Sequence, residues 1–85
     1  MTELTADEVQ RIIKDEYLTV TANWFGPTGR PQSSAWIDRI GDEWMVWRTD
    51  EREGRYLPEF RFHSESEALD LFLRFARACK VQTPA

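Results

Sequence analysis

The sequence is poor in the groups on which small-protein chemistry usually depends. It has one cysteine and one histidine in 85 residues. A single cysteine excludes an internal disulfide, and nothing stands at metal-ligand spacing from it, which suits a reducing compartment. Cys79 falls on the apolar stripe of a helical segment and reads as a small buried hydrophobe. His63 has no second histidine to share a metal with, and its place just before Ser64 is explained by helix capping without catalysis. Long apolar runs are also missing. Residues 1–16, MTELTADEVQRIIKDE, are acidic, which argues against a signal peptide and a membrane span and makes the cytoplasm the expected location. No cofactor is implied. The glycine-bearing GPTGR at 26–30 matches neither a phosphate nor a dinucleotide fingerprint and runs into Pro31, so it reads as a wide hairpin loop. Ser33 and Ser34 lack a nucleophile elbow. The acidic stretch at 50–53 is interrupted by Arg52 and does not fit a calcium loop, so it reads as a solvated turn. An enzyme is therefore the weaker class.

What the chain does have is apolar mass and acid. The apolar fraction is 41%, with four tryptophans, which argues for a folded globule. Eighty-five residues make one domain, 1–85, with a modest stability margin. Net charge is −4, and residues 1–16 carry five acids against two bases. The remainder is close to balanced, so the acidity sits in the first segment. Such a chain lacks the clustered Lys and Arg that bind phosphate backbones, and it suits a basic protein surface better.

Two capping boxes frame the chain. Thr5 with Glu8 predicts a helix over Ala6 to Glu16, with Val9, Ile12 and Ile13 on its stripe. Ser64 with Glu67 opens a second helix reaching about Lys80, its stripe being Ala68, Leu69, Phe72, Phe75, Ala76 and Cys79. Asp70 and Arg74 form a favourable pair outside that stripe. Four strands are expected between the helices. Tyr17 to Trp24 alternates with Leu18, Val20, Ala22 and Trp24 on one face, and Ser33 to Ile40 forms the second strand. Gly41 and Asp42 make a two-residue hairpin turn into the third, DEWMVWR at 42–48. Arg55 to Phe62 is the fourth, with Pro58 marking an edge or a bulge. The expected fold is α+β: a four-stranded antiparallel meander with the N- and C-terminal helices on one face, in the order α-β-β-β-β-α.

Such a sheet needs one apolar face and the sequence offers nearly two. In the second strand Ala35 and Ile37 compete with Trp36 and Ile40 for the covered side. In the third, Trp44 and Val46 compete with Met45 and Trp47. Either way a tryptophan is left over. The open side should also carry Tyr17, Thr19, Thr21, Asn23, Leu57, Glu59 and Arg61. Either loops wrap over these groups, or they form an interface, since tryptophan, tyrosine and arginine concentrate in interface cores. The candidate partner-binding residues are Trp36, Asp38, Trp44, Trp47, Arg48, Glu59 and Arg61, with Asp38, Glu59 and the acids of the first helix as a steering rim.

The segment PEFRFHSESEALDLF (58–72), an aromatic strand ending in a Ser-x-x-Glu-Ala-Leu helix start with a tryptophan-rich hairpin before it, resembles the small immunity proteins of bacterial polymorphic toxin systems. The resemblance covers the C-terminal half. It implies a small, acidic, non-catalytic, cytoplasmic protein, which binds one cognate toxin domain and often blocks an active site that is basic. No contact residue transfers from the family. The rival expectation is an accessory or structural domain whose open face pairs with its own copy as a homodimer. A small nucleotide-binding module, or one that stacks single-stranded nucleic acid, is the minor third, opposed by the net charge.

Overall fold

The computed structural model describes residues 4–52, 54, 55 and 59–82. The chain runs α1 (Ala6–Asp15), β1 (Ala22–Trp24), β2 (Ala35–Ile40), β3 (Glu43–Arg48), β4 (Phe60–Phe62) and α2 (Glu65–Gln82). Both helices start where the sequence places them. Thr5 is extended, and its Oγ1 accepts the Glu8 N–H at 3.3 Å, which satisfies one orphan donor of the first turn. Ser64 does the same for Glu67 at 3.4 Å. The exit of α1 is a Schellman motif: Leu18 N–H bonds the Ile13 carbonyl at 2.8 Å, Tyr17 N–H bonds that of Lys14, and both Leu18 and Ile13 are buried. Its left-handed residue is Tyr17, at φ +57°.

The four strands form one mixed sheet in the order β1-β2-β3-β4. β2, β3 and β4 pair antiparallel, and Gly41 at φ +64° makes the β2–β3 turn with the positive φ at its first central position that a type II′ hairpin requires. β1, however, runs parallel to β2, with Ala22 opposite Ala35 and Trp24 opposite Ile37. The expected all-antiparallel meander is thereby corrected, as is the wide hairpin loop at 25–31. After β1 the chain folds back along that strand's outer edge and enters β2 from the end at which β1 began. Thr28 Oγ1 donates to the Ala22 carbonyl and accepts the Trp24 N–H, and Arg30 N–H bonds the Val20 carbonyl. The returning segment thus occupies a sheet edge that would otherwise invite another strand.

The first strand is also shorter than its alternation suggested. Residues before Ala22 are turn, so Val20 does not face the core and is 54% exposed. The fourth is regular over Phe60–Phe62, preceded by an isolated bridge between Thr49 and Arg55. Tyr56, Leu57 and Pro58, expected within that strand, lie outside the described residues.

α2 lies across the sheet and touches all four strands, whereas α1 packs beside α2. One apolar cluster joins Val9 and Ile13 of α1 and Leu18 to Ala22, Ala35, Ile37 and Val46 of the sheet and to Ala68, Leu69, Phe72 and Ala76 of α2. Trp24 meets the Phe72 ring edge-on at 5.8 Å and Phe60 meets Phe75 at 5.9 Å, closing the two sides of this layer. Among the described residues no helix is long and apolar enough to cross a membrane.

Candidate functional site

The register decides which tryptophan belongs to which face. Ile37 opposes Val46, and Val46 opposes Phe60, so these side chains share the helix-covered side with Trp44, Phe62, Ala35 and Arg48. Trp44 is half-buried against the core, with the Arg39 guanidinium 4.9 Å from its ring. Arg48 reaches the Phe75 ring of α2 at 5.2 Å. Two of the seven candidate residues, Trp44 and Arg48, therefore sit under the helices and away from any contact made by the other face.

The other five come together. Trp36 opposes Trp47, Asp38 opposes Met45, and Met45 opposes Arg61, all on the face turned away from α2. Ile40 opposes Glu43 at one end, and His63, one step past β4, lies 3.7 Å from the Glu43 carboxylate. At the other end Glu59, one step before β4, is brought beside Trp47 by its ion pair with Arg55, whose guanidinium lies over the Trp47 ring. The face is thus a three-by-three lattice. Its rows are Trp36–Trp47–Glu59, Asp38–Met45–Arg61 and Ile40–Glu43–His63.

The first row explains the surplus tryptophan. The Trp36 and Trp47 rings stack with 9° between their planes and centroids 5.8 Å apart. Arg55 lies 4.3 Å from the Trp47 centroid. Because β2 and the Arg55 segment flank β3 on opposite sides, Trp47 is held between an indole and a guanidinium, and its exposure falls to 6%. Trp36 is the half-exposed end of this stack, beside a cleft of about 180 Å³ shared with Pro31, Thr49 and Arg55. Along β2 the half-exposed Trp36, the exposed Asp38 and Ile40 at 49% form one strip. Asp38 turns one carboxylate oxygen to the Arg39 N–H at 2.8 Å. Arg61 is exposed across the lattice.

Asn23 lies on the side expected, opposite Trp36, but the returning loop buries it, whereas Thr21 is buried against α2. Thr21 Oγ1 donates to the Ala76 carbonyl of α2 at 3.0 Å. Asn23 is fully buried: its amide nitrogen donates to the Arg30 carbonyl and Ser34 Oγ, both at 3.0 Å, and its Oδ1 accepts the Gly29 N–H at 2.9 Å. Ser34 and Thr49 extend this knot to the Pro31 carbonyl. It ties the returning loop to the sheet, and an asparagine at a strand's centre was the available sign of such a role.

Asp50 Oδ1 accepts N–H groups from Arg52 and Gly54, so this carboxylate is taken up by the turn's own backbone. Cys79 is 3% exposed, and burial pushes its thiol pKa up despite Arg48 and Arg30 nearby. Among the described residues no three His, Cys, Asp or Glu side chains converge on a metal-sized site. Comparison with protein families, with curated proteins and with solved structures found no match to this chain.

Proposed function

We propose that this chain is a non-catalytic protein-binding module that acts by covering a partner's surface, in the manner of an immunity protein that occludes the active site of a cognate toxin domain. The observation that carries the reading is the β2 strip, where Trp36, Asp38 and Ile40 stand in a line on the face away from the helices. A tryptophan anchor on a rigid strand is what an interface centre uses, and the aliphatic side chain and carboxylate beside it add apolar area and a charge for pairing. The stack beside Trp36 adds rigidity, because that ring rests on Trp47, itself held on its other side by Arg55, and little rotamer entropy remains to be lost on binding.

Charge supports a basic partner. The protein carries −4 overall, and the open face holds the three acids Asp38, Glu43 and Glu59 against the two bases Arg55 and Arg61. The acids of α1 lie on the helical layer, beside α2, so they raise the encounter rate through the long-range field without touching a partner seated on the lattice.

The test is neutralisation. Producing this protein together with the toxic domain encoded beside its gene should restore growth, and the pair Trp36→Ala with Asp38→Lys should abolish the rescue while Tyr17→Ala leaves it intact. A neighbouring toxic domain that the protein fails to neutralise overturns the reading, as does a rescue indifferent to changes on the lattice.

A further inference from the structure

The charges of the open face are arranged to match a copy of themselves. Asp38 and Arg61 stand on the strands either side of β3, with Met45 between them. Strand spacing puts them roughly 10 Å apart, too far to pair within one chain. Neither takes part in an ion pair among the described residues. Met45 is only 8% exposed and forms the floor between them.

We infer that, without its partner, this face is closed by a second copy of the chain, the two sheets packing face to face about a twofold axis along β3. It rests on the proposed function only in using the same face as a binding surface. An axis lying in the interface and parallel to β3 exchanges the columns on its two sides. Each Asp38 then comes over the Arg61 of the other copy, giving two equivalent ion pairs. In the same operation each Trp36 comes over the other copy's Arg55–Glu59 pair, and each Ile40 over its His63. Sheets packed this way lie about 10 Å apart, with strands crossed by about 30° because each sheet is twisted.

The alternative in-plane axis, perpendicular to β3, sets Asp38 on Asp38 and Arg61 on Arg61. Like charges opposed in this way cost affinity, so the charge pattern selects the axis along β3. One cost remains. Glu43 lies in the axial column of β3, so the two copies of its carboxylate approach each other. Nine lattice positions a side are far fewer than the roughly 20–30 of a standard interface, so the dimer forms with about micromolar affinity or weaker and can yield the face to a tighter partner.

The experiment is sedimentation equilibrium on the purified chain, up to about 1 mM. The wild type should dimerise reversibly. Asp38→Arg alone and Arg61→Asp alone should each weaken the dimer at least about tenfold, since each change creates two like-charge contacts. The double variant carrying both changes should recover the wild-type constant. Glu43→Gln should tighten the dimer about two- to fivefold, because only a twofold axis brings this residue against itself. A monomer at every concentration overturns the inference, and so do single reversals without effect or a double variant no better than either single one. A monomer that still neutralises its toxic neighbour removes the dimer and leaves the proposed function standing. A dimer that obeys the charge swaps but neutralises nothing does the reverse.

Discussion

The indole of Trp36 lies almost parallel to that of Trp47, 9° apart in plane and 5.8 Å between centroids, and the Arg55 guanidinium also lies over the Trp47 ring. The two tryptophans are neighbours in one row, yet their roles differ because one is enclosed and the other ends the stack. Trp47→Ala removes a ring 94% shielded from water and should destabilise the fold by about 3–5 kcal/mol. Trp36→Ala, at the half-exposed end, should cost about 1–2 kcal/mol. Urea titration of the two variants checks the difference, and equal losses would contradict the enclosed position of Trp47.

Tyr17 occupies the left-handed position after α1 at φ +57°, where glycine is normally found, and it is 80% exposed. A side chain there costs about 1 kcal/mol of backbone strain. What it gains in return is a cation over its ring, Lys80 at 5.6 Å, worth about 0.5 kcal/mol at so exposed a site. Tyr17→Gly should therefore leave stability unchanged or raise it by up to about 1 kcal/mol, read as an upward shift of the thermal midpoint. A loss of stability would mean that Tyr17 packs more closely than its exposure indicates.

Gly29 shows the tightest approach in the loop that returns along β1. A Cβ built on it would stand 2.5 Å from the Val20 carbonyl oxygen and 2.9 Å from that of Thr19. Both obstacles are backbone, so neither can rotate away. Gly29→Ala should cost at least about 2 kcal/mol and displace the loop. Asn23→Ala should cost about 3 kcal/mol, because it leaves the Gly29 N–H without its acceptor and removes the amide donor shared by the Arg30 carbonyl and Ser34 Oγ. Denaturant titration of the two variants gives both figures. If Asn23→Ala were neutral, the polar knot would not be what holds β1 parallel to β2.

The elements that could be read from the sequence are those whose signal is local. Thr5 and Glu8, Ser64 and Glu67, and Gly41 each fix their turn or cap with neighbours no more than four residues away, and all of them do so in the fold. The direction of β1 is not of this kind. A connection of ten residues with two glycines and two prolines resembles a hairpin loop, and only the set of bonds from Thr28, Asn23 and Arg30 back along β1, spanning up to ten residues, turns it into a return path. Val20 was misplaced for the same reason: its alternation with Leu18 and Ala22 is regular, but the chain is still turning there. On the candidate site, alternation separated the tryptophans into two faces without saying which face was covered. The register resolves this, with Trp36 and Trp47 on the open side and Trp44 beneath the helices. That Arg55 would close over Trp47 depends on the course of the 50–54 turn, which no residue pattern in β3 encodes.

The pair joining the two helices carries a pH dependence of known sign. Arg77 binds Glu16 through two bonds, Nε to Oε1 at 2.8 Å and Nη2 to Oε2 at 2.6 Å, and Lys80 bonds the Glu16 carbonyl. The Arg77 hydrogen bonds hold the Glu16 carboxyl below the ordinary carboxylate range, with the charges of Arg77 and Lys80 adding to the effect. A group whose pKa is lowered on folding binds fewer protons in the native state, so it stabilises the fold above its unfolded value and loses that contribution as pH falls through the folded one. The contribution should be complete at neutral pH and fade below about pH 4.5. Arg77→Met should lower the urea midpoint at pH 7, and the gap from wild type should narrow as pH falls through that window. Added salt should shrink the gap at pH 7, because both side chains remain in contact with solvent. A gap that stays constant from pH 7 to pH 3 would show that Arg77 supports the helix pair through its aliphatic stem, with no contribution from the Glu16 carboxylate.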